Sequence, residues 1–285
     1  MRFGCCAGLA SFVPPTLNGQ EVSLSVAHAE QCARIPGMVA VMASAGYDFV
    51  EFGVGCTAPE QPEADFQRFL DRLGESALKA EVFNSFVPPW IKLTGPEADW
   101  GRIEDYLGVA TERVARAGGD RIIFGSGGAR SRPEGWPPEE ADAQLTRFLT
   151  LAADYCETQG IVVCIEPLNA SETNMVNRVA QGAEWVRRID RAGVRLLADC
   201  FHMGMEGESY ESIVAAGDVL GHIHVADKGR RYPDEFGYDI DGFFTALRRA
   251  GYDGRVSIEA NFDDFEREAK VGLERIRRGY QSVGG

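Results

Sequence analysis

Along this chain, short apolar runs rich in β-branched residues alternate with longer stretches in which apolar positions recur every three or four residues. The first pattern belongs to strands buried on both faces and the second to amphipathic helices. The runs place strands near residues 2–6, 48–53, 79–85, 120–125, 161–166, 194–199, 220–226 and 255–260. Helical patterns cover Glu30–Ala45, Glu63–Glu75, Asp99–Ala117, Glu139–Gln159, Val179–Ala192, Tyr210–Ala216, Ile240–Ala250 and Asp264–Ser282. Eight strand–helix units in succession predict an α/β fold, a (β/α)8 barrel, with residues 1–285 as one domain. Glycines at Gly46, Gly118, Gly160, Gly193 and Gly251 fall just past the helices, where a left-handed cap is expected. The connections after the strands are longer and richer in Gly and Pro: Ser11–Val26, Cys56–Pro62, Phe86–Pro96, Gly125–Pro138, Leu168–Arg178, His202–Ser209 and Ala226–Asp239. Long loops on one side are where barrel enzymes carry their chemistry.

Four polar residues end the apolar runs of the second half. Glu166 follows Ile161-Val-Val-Cys-Ile165, Asp199 follows Val194-Arg-Leu-Leu-Ala198, His224 closes Val219-Leu-Gly-His-Ile-His224, and Glu259 follows Arg255-Val-Ser-Ile258. Their separations of 33, 25 and 35 residues each approximate one strand plus one helix, so the four side chains recur at equivalent strand ends. Taken singly, each reads as a salt bridge or a helix cap. Together they read as a metal site, because three buried carboxylates without a positive charge between them are costly. Three carboxylates and an imidazole suit a fairly hard divalent ion, with Mn2+ first, Mg2+ and Co2+ accepted, and Zn2+ less favoured. Four protein ligands leave two positions for adjacent oxygens of a substrate, which suits aldose–ketose isomerisation or epimerisation beside a ketone.

Composition narrows the field. A formal charge of −14 and a pI near 4.8 argue against nucleic acid as a partner. Seven scattered cysteines, an odd number without CxxC spacing, read as small core residues. The opening Met1–Ala7 is too short and interrupted for a signal peptide, and no stretch reaches the roughly 20 apolar residues of a membrane span, so a cytoplasmic protein without a membrane partner is expected. Among the remaining polar residues, His28 reads as surface or loop. Glu51 is divided between substrate contact and a structural ion pair. His222 points to the same side of its strand as His224, most simply bonding deeper in the barrel. Asn84 and Trp90 flank the loop Phe86–Lys92, where Trp90 is either a lid over a sugar or a packed loop residue. Gly125–Arg130 is weighed as an anion cradle, with Arg130, Arg132, Lys228 and Arg231 as charge partners, against a tight turn with solvated arginines.

Several segments carry a family resemblance: Ile165-Glu-Pro-Leu-Asn169 with Glu172-Thr-Asn174, Ala198-Asp-Cys-Phe-His-Met203, Gly221-His-Ile-His-Val225 with Arg230, and Ile258-Glu-Ala260. The chain resembles the xylose-isomerase-like TIM-barrel superfamily, sugar phosphate isomerases and epimerases, and its nearest pattern is the ketose 3-epimerase branch. The resemblance implies that Glu166, Asp199, His224 and Glu259 bind the metal. It implies that Glu166 and Glu259 are also the catalytic acid–base pair, acting through a cis-enediolate, and that Glu172, His202 and Arg230 bind substrate oxygens. The substrate implied is a carbohydrate, and homo-oligomers are frequent in the resembled family. After Arg230 this chain reads Tyr232-Pro-Asp-Glu-Phe-Gly237, where the epimerases often carry Pro-Gly-Glu-Gly. Three other readings compete. An inosose-type dehydratase, a lyase, needs a third group to protonate the leaving hydroxyl, and His202 or Glu172 qualifies. An AP endonuclease needs more histidines than His28, His202, His222 and His224 for its three-metal cluster. A non-catalytic ligand-binding barrel has no need of the four ligands present.

Overall fold

A computed structural model of the chain describes residues 1–7, 16–17, 20–21, 23–235 and 237–282. The eight strands are β1 (Arg2–Cys6), β2 (Phe49–Gly53), β3 (Ala80–Asn84), β4 (Arg121–Phe124), β5 (Val162–Ile165), β6 (Val194–Asp199), β7 (Leu220–Val225) and β8 (Arg255–Ile258). They close a parallel barrel in sequence order, with Cys5 of β1 opposite Ile258 of β8 on one side and Val50 of β2 on the other. The (β/α)8 architecture expected from the repeated pattern is therefore present. All five residues of β2 are buried, as a strand covered on both faces requires.

Around the barrel lie α1 (Leu24–Ala45), α2 (Glu63–Gly74), α3 (Trp100–Arg116), α4 (Pro138–Thr158), α5 (Val179–Ile189), α6 (Glu211–Ala215), α7 (Ile240–Arg249) and α8 (Phe265–Ser282). Helix α3 shows why these segments are helical. It buries Ile103, Tyr106, Leu107, Ala110 and Val114 along one stripe, Asp99 caps its first turn by accepting the Arg102 N–H at 3.2 Å, and Arg113 and Arg116 sit in its last turn against the negative end of the helix dipole.

Two expectations need adjustment. Helix α1 begins at Leu24, not Glu30, because Ser23 caps it by accepting the Val26 N–H, and it continues through Pro36. Helix α5 stops at Ile189, before Gly193, because Asp190 takes the left-handed C-cap position at φ 50°. Within the loop expected at Ser11–Val26, Thr16–Leu17 and Gln20–Glu21 form a small antiparallel ladder, and residues 11–15, 18, 19 and 22 lie outside the described residues. All seven cysteines are free and buried. Among the described residues, no helix is long and apolar enough to cross a membrane.

The core has two layers. Most buried apolar side chains lie between strands and helices, while Phe49, Val82, Ile123, Cys164 and Leu197 fill the barrel itself. At the N-terminal end of the barrel, the guanidinium groups of Arg2 and Arg255 lie 5.6 and 5.9 Å from the Phe49 ring, and both pair with Glu81. That plug leaves the opposite end of the barrel for polar groups. A Cβ on Gly4 would overlap the Phe49 ring, so Gly4 is the residue that lets β1 and this ring approach. Gly4→Ala is expected to lower unfolding stability by about 1–3 kcal/mol, the usual range for overpacking a filled core. Urea denaturation monitored by circular dichroism measures it, and an unchanged midpoint would refute this account of the plug.

Candidate metal centre and active site

At the C-terminal mouth, Asp199 is the last residue of β6, His224 stands one before the end of β7, and Glu166 and Glu259 follow β5 and β8 directly. Parallel pairing in register, with Asp199 opposite His224, brings them together. One ligand-type atom from each of the four lies within 4.8 Å of the others. His224 Nδ1 is 3.2 Å from Glu166 Oε1 and 3.1 Å from Glu259 Oε2. Asp199 Oδ1 accepts the Phe201 N–H at 2.7 Å, capping the short helix Cys200–Met205, whereas its Oδ2 is buried with no hydrogen bond. Beside Oδ2 lie Arg230 Nη1 at 3.5 Å and His202 Nε2 at 3.6 Å.

The cluster's electrostatics follow from its burial. Desolvation raises the Glu166 pKa, and repulsion from Glu259 adds to it against the pull of His224. Burial acts the same way on Glu259, yet Arg230 and His224 prevail and bring it down to about 2. Burial opposes a charge on His224, but Glu51 and Glu259 hold its pKa well above 6.5. A buried carboxylate oxygen without a partner, beside two further carboxylates and an imidazole nitrogen, is a donor set that fits a divalent cation.

Glu51 is fully buried and faces two imidazoles, His222 Nε2 at 3.2 Å and His224 Nε2 at 3.0 Å. Of the two readings open for it, the ion pair within the protein holds. His222 also reaches Ser257 Oγ at 3.1 Å, below His224 in the barrel.

The three residues carried over as substrate contacts rim the same centre. His202 Nδ1 accepts the backbone N–H of Asn169 at 3.1 Å, and Arg230 Nη1 lies 3.1 Å from its Nε2. Glu172, with its side chain 44% exposed, accepts from Asn169 Nδ2 at 2.8 Å. Arg230 lies over the Phe201 ring at 4.9 Å and donates to Glu259. A pocket of about 320 Å3 opens here, and Glu166, Glu172, Arg230, Glu259, Val87, Leu168 and the Gly125–Gly128 turn are among its lining residues.

Other sequence readings fare differently. His28 is a fully buried residue of α1 whose Nε2 lies 2.8 Å from the Cys56 carbonyl oxygen, not a surface or loop residue. Arg130 is fully buried and donates to the carbonyls of Phe124, Glu166 and Val176, so it ties loops together and is turned away from any anion. Arg132 donates to the Trp136 carbonyl, while Lys228 and Arg231 lie near the Tyr238 and Tyr232 rings. Trp90 donates to Glu60 at 2.7 Å and lines a neighbouring groove with Leu24 and Tyr106, not the pocket beside the cluster. Asn169, which orients both His202 and Glu172, escaped notice as a site residue although it lies three after Glu166 in the segment quoted for the resemblance.

The family model described as xylose isomerase-like TIM barrel matches residues 39–279. The chain belongs to this family. Within the xylose isomerase-like proteins, it is 27% identical over 223 residues to an L-ribulose 3-epimerase of Methylomonas sp. (strain DH-1), covering 78% of this chain and 77% of that one. It is 28% identical to a putative hydroxypyruvate isomerase of Streptomyces coelicolor, covering 77% and 83% of the two chains. The crystal structure of a D-allulose 3-epimerase from Methylomonas sp. in complex with D-allulose superposes with a TM-score of 0.78 over 98% of this chain and 97% of the other, at 23% identity, a likeness of fold. The relatives' names, epimerase and isomerase, agree with the class of enzyme expected from the sequence.

The donor set carries a pH signature. A bound ion needs the His224 Nδ1 lone pair and an ionised Glu166, and both groups hold protons more tightly than usual in the metal-free protein. Binding therefore releases protons, and Mn2+ affinity is expected to strengthen as pH rises from about 5 to about 8. Calorimetric titrations in buffers of different ionisation enthalpy measure the release, and affinity independent of pH would contradict it.

Proposed function

We propose that this chain is a divalent-metal-dependent sugar epimerase that inverts a carbon next to a ketone by proton transfer between two glutamates. The observation that carries the reading is the convergence of Glu166 and Glu259 with Asp199 and His224, one Asp199 oxygen being left without a hydrogen bond. An ion held by these four residues, Mn2+ being our first choice, would polarise the sugar carbonyl and stabilise charge developing on its oxygens.

The protein's own groups supply the rest. Glu166 and Glu259 rise from β5 and β8, which stand on different sides of the barrel, so a substrate lying between them meets a carboxylate on each face. One takes the proton beside the carbonyl to give a cis-enediolate, and the other returns a proton to the opposite face. The two exchange roles when the reaction runs backward. His202, Glu172 and Arg230 hold neighbouring substrate oxygens.

Pocket composition bears on the substrate. Among the described residues lining it, Arg230 is the sole cation, and it already faces Glu259 and Asp199. With Arg130 turned into the protein, a phosphate has no dedicated partner there among the described residues. The substrate proposed is therefore an uncharged ketose, in keeping with the sugars named for the relatives.

Metal-loaded protein in D2O with a panel of free and phosphorylated ketoses, followed by NMR, tests this. Deuterium is expected at the carbon beside the carbonyl of a free ketose, and Glu259→Gln should slow its entry by about 100- to 10,000-fold. Lack of exchange in every ketose despite bound metal would sink the reading, and preference for a phosphorylated one would overturn the neutral substrate.

A further inference from the structure

Two groups of metal-type ligands share His224. Glu166, Asp199 and Glu259 lie on one side of its ring, and Cys6 and Glu51 on the other. The second group is complete without an ion. Glu51 accepts from the Nε2 atoms of both His222 and His224, and the Cys6 thiol hydrogen-bonds to the same carboxylate. Burial, and then the charge of Glu51, hold that thiol's pKa well above the usual value, so it remains a donor. The first group is the one with an orphaned oxygen, on Asp199. This asymmetry assigns a cation to one side and a proton donor to the other.

The donor logic then fixes the ring. His222 Nε2 lies 3.2 Å from a Glu51 oxygen while its Nδ1 has no partner, so the hydrogen it gives to Glu51 sits on Nε2. Glu51 thus spends one oxygen on His222 and offers the other to His224 Nε2, 3.0 Å away. A ring that gives its Nε2–H to a carboxylate leaves Nδ1 as the nitrogen whose lone pair an ion takes up on the far side, where Glu166 and Glu259 lie 3.2 and 3.1 Å away. A ring with its hydrogen on Nδ1 would present a donor where a metal needs a lone pair.

Building on the proposed metal centre, we infer that Glu51 is its positioning residue: held by His222 from below, it locks His224 in the Nε2–H tautomer that presents Nδ1 to the ion. Glu51 touches neither ion nor substrate and acts through His224. The restraint is built from β2 and β7, strands on different parts of the barrel wall, and is fully buried, so water does not substitute for it.

The test is Mn2+ affinity of wild type and Glu51→Gln by titration calorimetry, with thermal unfolding of each metal-free protein. A glutamine cannot accept from both imidazoles without turning its amide hydrogens on one of them. Affinity is expected to weaken by about 10- to 100-fold, as for loss of a carboxylate partner of a ligating histidine elsewhere. A role confined to stability would lower the metal-free unfolding temperature and leave affinity unchanged, and that result would overturn the inference while sparing the proposed function. Failure of wild type to bind Mn2+ at all would end both. If Glu51→Gln does not fold, the wild-type protein still decides. Long-range proton–nitrogen NMR of 15N-histidine-labelled, Mg2+-loaded protein should read His224 as the Nε2–H tautomer, and an Nδ1–H pattern would refute the assignment.

Discussion

Negative charge at the barrel mouth is what the rest of this structure has to accommodate. Glu51, Glu166, Asp199 and Glu259 are gathered where water is largely excluded, and the positive groups in direct reach are Arg230 and the His224 ring. Burying charge is tolerated only when each ion has partners in good geometry. Arg230 answers part of the need by spanning Glu259 and Asp199 with one guanidinium. The orphaned Asp199 oxygen shows where the balance is incomplete, and it lies on the side a divalent ion would occupy.

The scaffold holds that arrangement by fixing backbone before side chains. Arg130 takes carbonyls from the end of β4, from Glu166 itself and from Val176, so the segments after β4 and β5 are joined as one unit. Its burial lowers the guanidinium pKa to about 10, which leaves it charged at neutral pH beneath Glu166. Gly125, at the end of the neighbouring strand, leaves room for the Glu166 carboxylate, which any Cβ there would overlap. A functional group held by such a supporting shell keeps its geometry without help from the substrate.

Much of this was legible in the chain because barrels repeat. Apolar runs and glycine stops marked eight strand–helix units, and residues at equivalent strand ends must meet when the sheet closes. What local pattern could not show was contact across the barrel. Glu51 lies 173 residues from His224, and no periodicity couples β2 to β7. His28 looked like a loop residue because the helix begins earlier than the first strong apolar stripe, Ser23 supplying the cap. Arg130, in a Gly-rich turn, had the composition of an anion cradle. Its burial depends on carbonyls 36 and 46 residues away, which only the fold brings within reach. Asp190 displaced the expected glycine cap because aspartate also tolerates the left-handed region, a local choice that residue type alone leaves open.

Backbone strain concentrates at the same mouth. Among the described residues, six other than glycine have positive φ, and three of them, Ser85, Ser126 and Arg230, line the pocket. Each such conformation costs on the order of 1–3 kcal/mol and persists only where neighbours over-determine it. The neighbours can be named. Ser126 Oγ accepts the Val87 N–H at 2.9 Å, joining the loops after β3 and β4. The Arg230 carbonyl accepts the Asn261 N–H at 2.7 Å, while the guanidinium of the same residue binds Glu259. Arg230 and the segment after β8 are thus linked twice, once through backbone and once through side chains. A shift of Arg230 toward a substrate oxygen would therefore act on Glu259 as well, so the group proposed to hold the sugar and one of the groups proposed to move its proton respond together.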